Sequence, residues 1–271
     1  MILLLEREGQ MCNQLMSLAS VYSLSIEYHE KLICPVIDNE LKRYFKFKDN
    51  SPENVKMYYS KYWYCVALFL KVIKNGFHIK GMQVYKKGRR FHLFYTWGSH
   101  TDNQIFVKHV KNIRNYFSLN DDIDYRCKKI IKELKGNNKI IVGVHLRRGD
   151  YREFENGKYY YDDDRVIGWL LQLVKKSAFD IHFLLCSNEK VDCEKYKIAG
   201  LSVSQPGKSS IEDLCLLSKA DYVMGPPSTY SFWAAMYGNK KRCILSDSNM
   251  SISWNDFRYF EDRLREGDYI R

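Results

Sequence analysis

The sequence predicts an α/β protein built on parallel sheets, and three observations carry that reading. The chain opens as strand, helix and strand, over Ile2–Leu5, about Asn13–Glu30 and Leu32–Ile37. From Lys139 to Leu245 short apolar runs alternate with helical patterns. Between these two stretches Gly136-Asn137-Asn138 breaks the chain, which sets a domain boundary between 1–136 and 137–271. Parallel strands need a crossover, usually a helix, so this alternation reads as doubly wound sheet.

Each element has its own signal. Ile2–Leu5 is a short apolar run that enters a turn near Gly9. Leu15, Leu18, Ala19, Tyr22 and Ile26 then recur at helical spacing. From Lys42 to about Asn120 periodicity is weak, with a long helix expected over Val55–Ile73. Asp121–Lys135 begins with acids and ends with lysines, the order that suits a helix dipole. After the break, strands are expected at Lys139–His145, Ile181–Cys186, Leu201–Ser204, Asp221–Gly225 and Arg242–Leu245. Helices are expected at Asp163–Lys176, Val191–Ile198, Ser210–Lys219 and Thr229–Tyr237, with Ser246–Arg271 as a packed tail. In such sheets ligands sit beyond the carboxyl ends of strands, so the loops after His145, Cys186, Val203 and Gly225 are where chemistry is sought.

Composition narrows the class. The 271 residues are 45% apolar and 28% charged, which excludes a disordered or fibrous chain and fits two small domains. Four apolar residues after Met1 are too few for a signal peptide. The uncharged run Tyr62–Leu70 is too short to span a membrane. The eight cysteines contain no Cys-x-x-Cys pair and are expected to be reduced, buried thiols. A net charge of +11 implies an anionic partner.

His145-Leu146-Arg147-Arg148-Gly149-Asp150-Tyr151 is the strongest local feature. A buried strand ends and at once offers an imidazole, two guanidiniums, a glycine and a carboxylate. Guanidiniums grip a diphosphate in two places and never lose charge; the alternative is an Arg–Asp pair tying a loop to the surface. Gly225-Pro226-Pro227-Ser228-Thr229-Tyr230-Ser231-Phe232-Trp233 is again a strand end opening a helix. Its hydroxyls and free N–H groups suit phosphate oxygens and a helix N-cap equally. Gly9-Gln10-Met11-Cys12-Asn13-Gln14 lacks dinucleotide-site spacing, and Asn13 would serve as an N-cap. Gly207-Lys208-Ser209 is no P-loop, because Ser202 stands where a glycine is required. Asp162-Asp163-Asp164 lies at a helix start and reads as capping rather than as a metal-binding Asp-x-Asp.

Together these segments resemble the fucosyltransferase superfamily of α-1,2-, α-1,6- and protein O-fucosyltransferases. His145, Arg147, Arg148 and Asp150 match its His-x-Arg-Arg-x-Asp motif. Gly9–Gln14 resembles its Gly-x-x-Gly-Asn-Gln loop, with Cys12 departing from the second glycine. Gly225–Trp233 is similar to its Ser/Thr-Phe-Ser-x-Trp segment, with Tyr230 for Phe. Size and the Asp-Tyr after the arginines look most like bacterial α-1,2-fucosyltransferases of glycosyltransferase family 11. The resemblance implies a GT-B-like α/β fold, two Rossmann-like domains facing across a cleft, with an acceptor-side amino half and a GDP-sugar-binding carboxyl half. It further implies inverting transfer of fucose from GDP-fucose to a glycan hydroxyl, without metal or other cofactor. Donor binding would fall to His145, Arg147, Asp213, Ser228, Thr229, Tyr230, Gly9, Gln10 and Asn13, with Asp213 at the guanine. Arg147 and Arg148 would steady the leaving diphosphate. The base would be Glu155, with Asp150 and Glu153 as rivals; one branch relies instead on an Asn matching Asn13. Competing readings are another GDP-sugar, a non-catalytic nucleotide-binding protein, and a nucleic-acid-binding protein.

The charge is concentrated. Lys74–Lys135 holds fourteen Lys/Arg against five Asp/Glu, so nine of the eleven net charges lie there. The expectation is a cytoplasmic protein whose amino half rests on the inner, anionic face of a membrane, where lipid-linked glycan acceptors are built. A solvated basic face is the alternative.

Overall fold

The structure, a computed structural model, describes residues 2–4, 9–34, 39–47, 92–94, 103–136 and 139–265, with six positions between 62 and 72. It divides into two compact units, Met1–Asn120 and Asp121–Arg271. The break thus falls one helix before Gly136. The reason is that Asp121–Lys135 packs on the Ser210–Lys219 helix of the second unit. Arg126 pairs with Glu212 at 3.0 Å and Lys219 with Asp124 at 2.5 Å, and Lys135 reaches Asp221 at 2.7 Å.

In the first unit, β1 (Ile2–Leu4) lies between β2 (Leu32–Ile33) and β3 (His92–Phe94), all parallel. The first helix runs Met11–Glu27, starting earlier than its apolar spacing suggests. It is buried on every side from Gln14 to Ile26 rather than along one stripe. Ser17, Ser20, Ser23 and Ser25 make this possible: they are small, and Ser23 donates back to the Ser20 carbonyl at 2.7 Å. Tyr22 stacks on Tyr116 with ring centroids 4.4 Å apart, bringing in the Asn103–Lys108 and Val110–Tyr116 helices. The helix expected over Val55–Ile73 lies largely outside the described residues; those described within it are helical.

The second unit is a five-stranded parallel sheet in the order β6-β5-β4-β7-β8. The strands are β4 (Ile140–Leu146), β5 (Ile181–Ser187), β6 (Val203–Ser204), β7 (Tyr222–Gly225) and β8 (Lys241–Ile244). Every strand and helix expected here is present, with ends moved by at most a few residues. The chain begins at β4, winds outward to β6, then crosses back to β7, so the order reverses between β4 and β7. Such a switch point opens a crevice at the carboxyl ends of the two strands. The tail packs as expected against the Asp163–Lys175 helix: Trp169 donates to the Met250 carbonyl at 2.8 Å and Lys176 to that of Ile252 at 3.0 Å.

Candidate active site

The loops after β4 and β7 meet at the switch point. Gly225 ends β7 so close to β4 that a Cβ there would stand 2.9 Å from the Cβ and carbonyl oxygen of His145. His145 is buried, its ring tilted against Tyr230 with centroids 4.8 Å apart, and its Nδ1 has no hydrogen-bond partner. Burial, then the charges of Arg147 and Arg242, push its pKa down to about 3. The imidazole is therefore neutral and carries no charge to a phosphate.

The two arginines have different surroundings. Arg147 donates to Asp150 at 2.8 Å, and its guanidinium carbon lies 5.4 Å from the Tyr151 ring centroid. Arg148 turns inward. Its backbone N–H donates to Asn188 Oδ1 at 2.8 Å, and Asn188 returns a bond to the Arg148 carbonyl at 3.1 Å. Its guanidinium is bound to Asp163, which also accepts from the Tyr196 hydroxyl at 2.7 Å. Burial opposes charge on Asp163, but the bonds from Arg148 and Tyr196 outweigh it and hold the carboxyl below its ordinary range. Asp162 caps the helix by accepting from the Arg165 N–H at 2.8 Å, as the capping reading expects. Asp163 does more than cap.

The β7 loop is tied to its neighbours. The Tyr151 hydroxyl donates to the Pro227 carbonyl at 3.2 Å, and the Tyr230 hydroxyl to that of Ser210 at 2.5 Å. Ser228 is the N-cap of the Thr229–Gly238 helix, its Oγ accepting from the Tyr230 N–H at 3.1 Å. Thr229 opens that helix.

Asp213 lies in the first turn of Ser210–Lys219, buried, and its Oδ1 has no partner. A Cβ on Gly207 would stand 1.7 Å from that oxygen, so only glycine leaves it room. Burial pushes the Asp213 pKa up to about 7, against the Cys186 thiol and the Ser187 N–H, which favour the charged form. Asp150, Glu153 and Glu155 are exposed, Glu155 with a left-handed φ of 47°.

Gly9, Gln10 and Asn13 belong to the first unit. Gln10, not Asn13, is the residue before the helix; Asn13 sits inside the first turn and folds back over Gly9, whose φ is 67°. Gln14 donates to the Gly9 carbonyl at 3.1 Å, and Cys12 is buried. The second unit thus gathers His145, Arg147, Tyr151, Ser228 and Tyr230 through shared contacts. Sequence reasoning missed Asn188 and Tyr196, and read Asp163 only as part of a capping run. Asn188 had a signal, as a polar residue after a strand end. Among the described residues no group of three or more His, Cys, Asp or Glu converges to hold a metal ion, and no helix is long and apolar enough to cross a membrane.

The profile described as Glycosyl transferase family 11 matches residues 6–262. No curated protein gives a significant match. Among solved structures, NodZ α-1,6-fucosyltransferase soaked with GDP-fucose aligns with a TM-score of 0.59 at 13% identity, over 92% of this chain and 97% of that one. NodZ is from Bradyrhizobium. A mutant of Arabidopsis thaliana FUT1 in complex with GDP aligns at 0.59 and 14%, over 95% and 72%. POFUT1 in complex with GDP aligns at 0.53 and 12%, over 88% and 94%. The fold is the GT-B-like α/β fold of these proteins.

Proposed function

The chain belongs to glycosyl transferase family 11, and from that premise we propose that it transfers L-fucose from GDP-fucose to a glycan hydroxyl. The transfer is inverting and metal-independent, α-1,2 to a galactoside. The observation that carries this is the meeting of the β4 and β7 loops at the switch point, with Arg147 in one loop and a helix N-terminus opening at Thr229 after the other. As the bond from anomeric carbon to phosphate oxygen breaks, negative charge grows on GDP. Arg147 meets that charge together with N–H groups of the Thr229–Gly238 helix. Arg148 acts through position: paired to Asp163 and Asn188, it fixes the loop that aims Arg147. His145 supports Tyr230 as a neutral ring. Asp213 offers an unpartnered carboxylate oxygen to the guanine edge, which presents N–H donors. The first unit is assigned the main acceptor-binding surface, and Gly9, Gln10 and Asn13 are assigned to donor binding.

Glu155 is assigned as the base that receives the acceptor's proton, with Asp150 and Glu153 as rivals. An unchanged rate in Glu155→Gln moves the role to one of them. Testing a panel of nucleotide sugars with EDTA present decides the donor; turnover of a different GDP-sugar, or none without divalent metal, defeats this reading.

The protein is further proposed to rest on an anionic membrane face, taking lipid-linked acceptors. Between Lys74 and Arg114 there are nine Lys/Arg against one acidic residue. Just before that stretch the helical residues Tyr62, Phe69 and Val72 are 65–70% exposed. Apolar side chains beside basic ones suit a headgroup layer. Failure to bind phosphatidylserine vesicles at low salt would remove this part alone.

A further inference from the structure

We propose that Tyr151 and Phe154 form a shelf for a pyranose ring of the acceptor glycan, an inference that rests on the donor assignment above. The two rings stack with centroids 5.0 Å apart and planes 25° apart. No residue from Gly149 to Arg152 or from Phe154 to Gly157 is buried, and Phe154 is 48% exposed, so the core does not use these rings. The loop is nonetheless firmly shaped. The Tyr151 hydroxyl is anchored on Pro227 at 3.2 Å, and Glu155, Asn156 and Gly157 turn the chain with φ of 47°, 57° and 76° in succession. L side chains resist that conformation, yet here two non-glycine residues adopt it directly after Phe154.

Location names the occupant. Arg147 lies 5.4 Å from the Tyr151 ring, so the shelf begins beside the group assigned to the diphosphate. The attacking hydroxyl must reach the carbon one bond from that phosphate, which puts the acceptor's own ring within a sugar's width of Arg147. Pyranoses present a C–H face that packs on aromatic rings. Arg152, 5.3 Å from the Tyr160 ring and 3.5 Å from Glu189, borders the shelf with groups able to bond hydroxyls.

The test compares wild type with Phe154→Ala and Phe154→Trp, using the galactose-terminated glycan that wild type labels best on a printed array. Phe154→Ala is expected to raise KM for that glycan about tenfold, with KM for GDP-fucose and GDP affinity by calorimetry unmoved, and Phe154→Trp to restore acceptor KM. An unchanged acceptor KM in Phe154→Ala overturns the shelf. So does weakened GDP binding, which would mean that the rings stack on guanine. Wild type that bound no GDP at all would instead defeat the donor assignment.

Discussion

Asp213→Asn removes a charge while keeping the shape of the side chain, and its effects on stability and on binding should have opposite signs. The wild-type carboxyl has a folded pKa of about 7 against an ordinary 3.8, because burial disfavours its charge. The folded chain therefore keeps a proton that the unfolded chain has released. Stability falls as pH rises from 3.8 to about 7, and the whole penalty is present above that. At about 1.36 kcal/mol per pKa unit the penalty is on the order of 4 kcal/mol. The amide does not titrate and can still accept from Ser187. Melting curves at pH 5 and pH 8 should then show the variant gaining on wild type at the higher pH by about 5–10 °C, because about 2.6 kcal/mol of the penalty is acquired between those pH values. Calorimetry at pH 8 should show GDP binding weakened about 10- to 100-fold, the worth of a charged hydrogen bond. Melting temperatures that track pH identically in both proteins would refute the titration argument. GDP affinity that survives would refute the guanine assignment.

Four other outcomes follow from the same geometry. Arg147→Lys keeps the charge but loses the planar fork, so kcat should fall about 100-fold or more, read in a GDP-release assay. Asp163→Asn leaves Arg148 buried beside a neutral amide and should cost about 3 kcal/mol in urea unfolding; Tyr196→Phe, which removes one bond to the same carboxylate, should cost about 1 kcal/mol. Gly225→Ala places a methyl against the β4 backbone and should cost about 1–3 kcal/mol, with a matching drop in urea midpoint.

The second unit was legible because each of its elements has a local signal: apolar runs for β4, β5 and β7, acids and caps for the helices between them. The loops carrying Arg147 and Ser228 were legible as strand ends, while their meeting at a switch point depends on the strand order, which no local signal gives. What stayed hidden depends on pairs distant in sequence. Nothing near Arg148 announces that its guanidinium turns to Asp163, or that Asp163 also holds Tyr196. The first unit was harder. Its long helix is buried all round, so a one-sided apolar stripe understates it, and His92–Phe94 lies in a basic, aromatic stretch without strand periodicity. Asn13 was placed as a cap because helix starts are read from polar residues, whereas the helix begins at Met11.

The tail that closes on the Asp163–Lys175 helix bears on how the chain matures during synthesis. Trp169 and Leu170 share one core with Leu245, Ile252 and Phe257. A ribosome adding 5–20 residues per second needs roughly 4–16 s to pass from the end of that helix to Phe257. Through that interval the first unit has all its residues available to fold, while the Trp169 core still lacks the side chains that the tail supplies. The nascent second unit is then a natural client for a chaperone, until its last apolar side chains emerge to seal it.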